Sequence, residues 1–393
     1  MNELEIRPVR SDREFRTFLQ LPRRLYKKFP HYCPPLDYDR RQIFDRRHNP
    51  FFTHGTAEYW IAYRGRNAVG RISAQIDDLH AQVGEADLGM FGAFDATDDT
   101  TATASLLDAA CRWLAQQGKT RVRGPFNLSI SAESGLLVEG QSEPAMVLYP
   151  WHPPYLRDHL VAAGWEVERQ LLSYCLDRSD EARQKKKMVR QQASLPAGFK
   201  MRPLNPSRGL DEFLELGTIY NSAWRGNWGF VPMNEADIAG LRDAMRPVLR
   251  PDNGIVVEKD GRPVAFTIIL PNIMEYVTSF GGQLSVLKAL KLLWRIKLGQ
   301  PQYGRTVLAG IEPEFQGGST GAAIVMSMMG EFLRLAKKYN GSGIEFGWIV
   351  EDNRRTLAAM SYFGGRLTRR FEVFQREIGE AVPRQHPNAQ VPT

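Results

Sequence analysis

The chain repeats itself. At a constant offset of 195, Arg7, Pro8, Arg13, Phe18, Leu19 and Leu21 recur as Arg202, Pro203, Arg208, Phe213, Leu214 and Leu216. At the same offset W-I-A-Y-R-G-R-N-A-V-G-R-I-S-A, from Trp60, aligns with I-V-V-E-K-D-G-R-P-V-A-F-T-I-I, from Ile255, so that Val69 meets Val264. Both stretches read as two strands joined by a polar turn. A fixed offset with matching strand grammar means two copies of one plan, and 393 residues give each copy enough chain for its own core.

Each copy reads as a strand (4–9; 199–204), a helix, antiparallel strands, a further strand, a long helix and another strand. The long helices are expected over 100–117 and 322–338, with strands at 119–124 and 344–350 after them. Both copies close on a short helix ending in glycine, Gly164 and Gly364. The charged stretch from Arg178 reads as a solvated connector, its alternative being an anion-binding arm. The expected organisation is residues 1–177, a linker 178–198, a second unit 199–380 and a tail 381–393.

The second copy carries I-E-P-E-F-Q-G-G-S-T-G-A from Ile311 to Ala322, between a short apolar run and a helix. Glycines let backbone N–H groups approach an anion, and a helix N-terminus adds positive potential, so this segment suits a phosphate. The corresponding loop of the first copy, from Gly89, carries Asp95, Asp98 and Asp99, which repel one. The net charge of +7 agrees with an anionic partner without choosing among nucleic acid, lipid surface and cofactor phosphate. No zinc-finger or aromatic RNA-binding signature favours nucleic acid. Cys33, Cys111 and Cys175 form neither a disulfide framework nor a metal spacing, and no histidine stands in a ligand or catalytic pattern. No apolar run approaches the roughly 20 residues of a spanning helix, and the N-terminus lacks a secretory signal, so a cytoplasmic location is expected.

The loop resembles the pyrophosphate-binding motif of the GNAT acyltransferase superfamily, V-x-P-x-x-Q/R-x-x-G-x-G/A, with Gln316, Gly321 and Ala322 in register and Ser319 at the usual first glycine. Over nearly its full length the chain is similar to a bacterial family of tandem GNAT-like proteins. The shared segments are F-F-T-H-G from Phe51, V-G-R-I-S-A from Val69, G-P-F-N from Gly124, G-L-L-V-E-G from Gly135, N-W-G-F-V-P from Asn227, and Glu351 to Arg366. The resemblance implies an α/β (α+β) fold: two tandem GNAT-like domains, each a mixed, mostly antiparallel sheet flanked by helices and splayed to admit an acyl-pantetheine arm. Some members act as bacterial ceramide synthase, moving a fatty acyl group from acyl-CoA to a sphingoid-base amine.

On that resemblance the second copy is the catalytic candidate and the first a degenerate partner. Gln316, Gly317, Gly318, Ser319, Thr320, Gly321 and Ala322 are expected to hold the pyrophosphate, a strand N–H near Ile311 the oxyanion, and Asn353 the pantetheine arm. The family's tyrosine position falls on Met360, which cannot donate a proton, and Tyr362 stands two residues on. Glu351, Glu345 and Glu312 are the base candidates, since amine acylation needs the amine neutral. Asn221, Trp224, Asn227 and Trp228 overhang the acceptor side and suit a partly apolar amphiphile; an ordinary helix–loop–helix is the alternative. Asn127, Ser129, Ser131 and Glu133 of the first copy read either as a polar pocket or as turns beside an edge strand.

The second copy also has an insert, Pro271 to Gly304, which includes a helical segment, Gln283 to Leu298, with Lys288, Lys291 and Arg295 expected on one exposed face and Leu287, Leu290, Leu293 and Trp294 on the other. A basic amphipathic helix of this kind suits contact with an anionic membrane, here its inner face. The expected function is an acyl-CoA-dependent N-acyltransferase acting on a lipid amine, most simply a sphingoid base, with no metal and no nucleic acid. Two rivals are a tRNA-dependent aminoacyl transferase of the tandem-GNAT type and a non-catalytic scaffold.

Overall fold

The computed structural model describes residues 3–177, 194–298, 301–338 and 341–379. Most of the expected linker and all of the expected tail, 381–393, lie outside the described residues. The first copy runs β1 (Leu4–Pro8), α1 (Asp12–Leu25), α2 (Asp37–Phe44), β2 (Gly55–Arg64), β3 (Asn67–Asp77), β4 (Leu88–Ala96), α3 (Thr100–Gln116), β5 (Arg121–Gly124), β6 (Leu136–Glu139), α4 (Tyr155–Ala162) and β7 (Glu166–Leu176). The second runs β8 (Phe199–Pro203), α5 (Leu210–Trp224), α6 (Glu235–Met245), β9 (Gly254–Lys259), β10 (Arg262–Pro271), α7 (Met274–Val277), α8 (Val286–Leu298), β11 (Tyr303–Ile311), α9 (Gly318–Lys338), β12 (Gly343–Val350), α10 (Arg354–Phe363) and β13 (Arg366–Glu377).

Two of the repeated apolar pairs do the same work in both copies. Phe18 and Leu21 on α1, like Phe213 and Leu216 on α5, are buried against the sheet. Helix α1 starts on a capping box in which the Ser11 hydroxyl accepts from the Glu14 N–H and the Glu14 carboxylate accepts from the Ser11 N–H. Helix α10 stops at Gly364, whose φ of +75° suits a residue without Cβ.

All described strands join one sheet, in the order β1-β2-β3-β4-β5-β13-β7-β12-β11-β10-β9-β8, with β6 pairing β13 to one side. The fold class is therefore the expected mixed α/β architecture: antiparallel throughout except β4–β5 and β11–β12. The copies have exchanged their closing strands. β13, last in the chain, lies beside β5 of the first copy, while β7 lies beside β12 of the second. β7 and β13 pair with each other from Arg366↔Cys175 to Gln375↔Glu166 and so weld the two halves into a single sheet.

Each parallel pair stays together only briefly. β11 and β12 pair from Tyr303↔Gly343 to Thr306↔Phe346 and then part; β4 and β5 pair from Leu88↔Arg121 to Met90↔Arg123. Where β11 leaves β12 it is bulged: Ile269 faces Thr306 and Ile268 faces Leu308, leaving Val307 as the extra residue. A bulge of this kind re-aims backbone groups out of the ladder.

Candidate active site

The two forks differ in what fills them. In the first copy the chain after β5 turns back into the opening: Phe126 N–H donates to the Phe91 carbonyl, and Ala93 N–H donates to Asn127 Oδ1. A Cβ on Gly92 would overlap the Phe126 carbonyl oxygen, so glycine is needed for this closure. At the N-terminus of α3 the Asp99 carboxylate accepts from Ala102 N–H and pairs with Arg64. A carboxylate of the protein thus stands where an anionic ligand would bind.

In the second copy β11 leads into the phosphate-loop sequence. Phe315 is buried, edge-on to Phe199, and pins the loop to the core. Gly317 and Gly318 take φ of +82° and +56°, and a Cβ on either would meet open space. Helix α9 starts at Gly318, four residues before the expected Ala322, because Gly321 N–H bonds the Gly317 carbonyl and closes a turn already. Among the described residues, no backbone hydrogen bond outside the helices and strands has the N–H of Gly317, Gly318, Ser319 or Thr320 as its donor. These are donors at the positive end of a 21-residue helix. Gly321 serves the turn instead: its Cβ would lie 2.8 Å from the Phe315 carbonyl oxygen, so the missing side chain lets the loop pack. Ala322 is exposed on the next residue of α9. The Gln316 amide donates to the Ile311 carbonyl at 2.8 Å and braces the loop across its own base. Ile311 itself pairs with Ala265 on β10.

The other candidates separate by their partners. Asn353 caps α10, its Oδ1 accepting from Thr356 N–H at 3.1 Å, and among the described residues its Nδ2 has no hydrogen-bond partner. Glu351 is exposed at the end of β12, and Tyr362 is exposed on α10 with its ring against Phe363. Met360 is buried in the core. Glu312 accepts from the Ser222 hydroxyl at 2.8 Å. Glu345 is buried and engaged on three sides, by Arg369 at 2.7 Å, by the Ser173 hydroxyl at 2.7 Å and by the Thr368 hydroxyl. That carboxylate clamps β12 to the exchanged strands β7 and β13.

Of the acceptor-side residues, Trp224 lies over the fork and donates its indole N–H to the Ala309 carbonyl. Asn221 spends both ends of its amide on the backbone of Met233 and shapes the following loop. Trp228 crosses to the first copy, donating to Glu168 and lying under the Arg123 guanidinium. Asn227 is exposed.

At the foot of the fork the structure assembles a group that the sequence does not reveal. The Arg305 guanidinium is fully buried between the Tyr149 ring at 3.7 Å and the Trp348 ring at 4.4 Å, and donates to the Val147 carbonyl. The Tyr149 hydroxyl bonds Ser173, and burial raises its pKa, so it remains a protonated phenol. Among the described residues, the buried Thr306 hydroxyl and Trp348 indole N–H have no hydrogen-bond partner. Tyr149 and Arg369 also line a cavity of about 660 Å³ enclosed by α2, the 145–152 segment, the end of β10 and the insert helix α8.

Helix α8 is turned differently from expectation. Leu292 is buried and packs with Leu36, Val277 and Phe280, while Ala289 and Ile296 also line the cavity. Lys288 is drawn in to donate to the Phe280 carbonyl, and Arg295 lies over the Tyr276 ring. The face left in solvent is apolar: Val286, Leu287, Leu290, Leu293 and Trp294 are 77%, 79%, 59%, 46% and 62% exposed, with Lys291 beside them. The charged heads of Lys288 and Arg295 lie over the Phe280 and Tyr276 rings, so the cations face the protein and the apolar stripe faces outward.

None of the cysteines suits a covalent acyl carrier. Burial pushes the Cys111 thiol up to about 11 and the Cys175 thiol up to about 12, so neither is a thiolate at neutral pH, and burial raises Cys33 as well. No helix of the described residues is long and apolar enough to cross a membrane.

One sheet forked at two places, with a glycine-rich loop after the strand at one fork, has the tandem GNAT fold, and comparison with solved structures agrees. A tandem GNAT protein from the clavulanic acid biosynthesis pathway superposes with a TM-score of 0.58 at 14% identity, over 97% of this chain and all of that one. A GCN5-related N-acetyltransferase from Sphaerobacter thermophilus gives 0.51 at 10% identity, over 95% of each chain. Sequence relatives are nearer. The bacterial ceramide synthase of Caulobacter vibrioides (strain NA1000 / CB15N) is 34% identical over 379 residues, covering 96% of this chain and 98% of that protein. Protein YghO of Escherichia coli (strain K12) is 32% identical over 378 residues, 95% of each. The chain belongs to the family of these two proteins, and it is an acyltransferase. No family model matches it.

Proposed function

We propose that the protein transfers a long-chain acyl group from acyl-CoA to the amine of a lipid, specifically a sphingoid base. The observation that carries this reading is the cavity of about 660 Å³ that shares Tyr149 with the foot of the fork and is walled by leucines of α8. An acetyl group and a small polar amine would leave it empty. The ceramide synthase relative supports the same substrate pair.

In this reading residues 199–380 supply the chemistry and 1–177 supply walls. The N–H groups of Gly317 to Thr320 receive the pyrophosphate, and Asn353 Nδ2 steadies the pantetheine arm as its Oδ1 caps α10. The arm lies along β11 in the fork, under Trp224. The bulge at Val307 aims a backbone N–H at the thioester oxygen, a better-placed donor than the expected one near Ile311. Glu351, at the outer end of β12, relays the amine's proton to solvent; Glu345 is committed to its ion pair. The exposed outer face of α8 rests in the headgroup layer of an anionic membrane, its leucines giving more of the attraction than its charges.

Incubation with a long-chain acyl-CoA and a sphingoid base tests the reading. Amide and free CoA should appear, with acetyl-CoA a poor donor, since each buried CH₂ of a long chain is worth about 0.8 kcal/mol. A preference for acetyl-CoA with a short polar amine would overturn it.

A further inference from the structure

We infer that the cavity between the two repeats is the seat of the long-chain amine itself, with Asp39 receiving its ammonium group and α8 covering its alkyl chain; this rests on the acyltransferase reading above. The cavity has two kinds of lining. Leu284, Ala289, Leu292 and Ile296 make part of it apolar, while Asp39, Arg40, Arg71, Asp95, Glu133 and His152 bring charged and polar groups to it. Most of those charges cancel within the protein: Arg40 pairs with Glu133 and Arg71 with Asp95, all buried. Burial alone would raise Glu133, but the Arg40 guanidinium holds its carboxyl below the ordinary value. Burial pushes His152 down to about 4, so it is neutral.

Asp39 is left over. Among the described residues its carboxylate has no hydrogen-bond or ion-pair partner. Its withdrawal from water raises its pKa; the nearby Arg40 charge opposes that rise and the Glu133 charge adds to it. A charge held out of water without a partner is costly, and a cation beside Asp39 completes the balance. Arg40 adds a second, independent feature: its Nε–H is buried and has no acceptor among the described residues, which suits a hydroxyl oxygen carried near the amine. An acyl chain alone has neither group. A long-chain amino alcohol has both, and its tail suits the apolar remainder of a cavity in the size range of ligand sites.

Equilibrium binding of octadecylamine and octadecanol to the full-length protein, without acyl-CoA, tests this. Wild type should bind the amine at least tenfold more tightly than the alcohol. Asp39→Asn should abolish that preference while long-chain acyl-CoA affinity stays within twofold, and Ala289→Trp should weaken both probes by blocking the chain's place. Equal affinity for amine and alcohol in wild type, or an unchanged preference in folded Asp39→Asn, would overturn the assignment. An Asp39-dependent amine preference in a protein that forms no amide from any acyl-CoA would uphold the site and overturn the reaction instead.

Discussion

Ser319 offers the sharpest single-residue experiment on the phosphate loop. It is exposed, it is not strained, and it stands in the first turn of α9. Ser319→Glu brings a carboxylate to the positive end of the helix, which favours folding while repelling a pyrophosphate. Thermal stability should hold, and acyl-CoA affinity by calorimetry should fall at least tenfold, about 1.4 kcal/mol. Gly321→Glu would be ambiguous, because any side chain there meets the Phe315 carbonyl. The glutamates separate in the same way. Glu351→Gln should slow the acyl-transfer step in single-turnover kinetics with little change in melting temperature. Glu345→Gln should strand Arg369 in the interior, a loss of about 3–5 kcal/mol, visible as a large drop in melting temperature. The sequence displays the loop because glycine, apolar strand and helix are contiguous there. It conceals the foot of the fork, where Arg305, Tyr149 and Arg369 meet from three distant segments, and it carries no sign that Arg40 and Glu133 are partners 93 positions apart.

Among the elements, α8 departs furthest from what its periodicity implies. A heptad-like reading puts its basic residues outward, but the helix has a narrow inner face, and aromatic rings at Tyr276 and Phe280 capture two of the cations. Pattern alone cannot decide which of two apolar stripes is inward when both exist. The exposed stripe makes a definite prediction: Leu287→Ser, Leu290→Ser and Trp294→Ser together should leave the melting temperature nearly unchanged and strongly reduce co-sedimentation with anionic liposomes. Added salt should weaken wild-type binding only in part, since salt screens charge but not apolar contact. Wild type that fails to sediment with liposomes at low salt would remove the membrane from the reading.

Across the whole molecule the halves are joined by more than the sheet. His54 of the first copy bridges Asp77 at 2.9 Å and Asp237, on α6 of the second, at 3.0 Å. Burial works against its protonation, but the hydrogen bond to Asp237 and the nearby Asp77 charge outweigh it and raise its pKa. A raised pKa in the folded state means the bridge stabilises fully below the free-histidine value of about 6.5 and fades as pH rises through the folded value. The difference in melting temperature between wild type and His54→Gln should therefore be larger at pH 5.5 than at pH 9. The repeat that announces two copies says nothing of how they join, because β7 and β13 carry similar strand patterns and either would satisfy either sheet. That interchangeability has a consequence. Two identical ancestral subunits trading their closing strands about a two-fold axis would have this topology before any covalent link existed. Severed between 178 and 193, the present chain should return to such a state: two polypeptides, each insoluble or unfolded alone, that assemble into a working whole when made together.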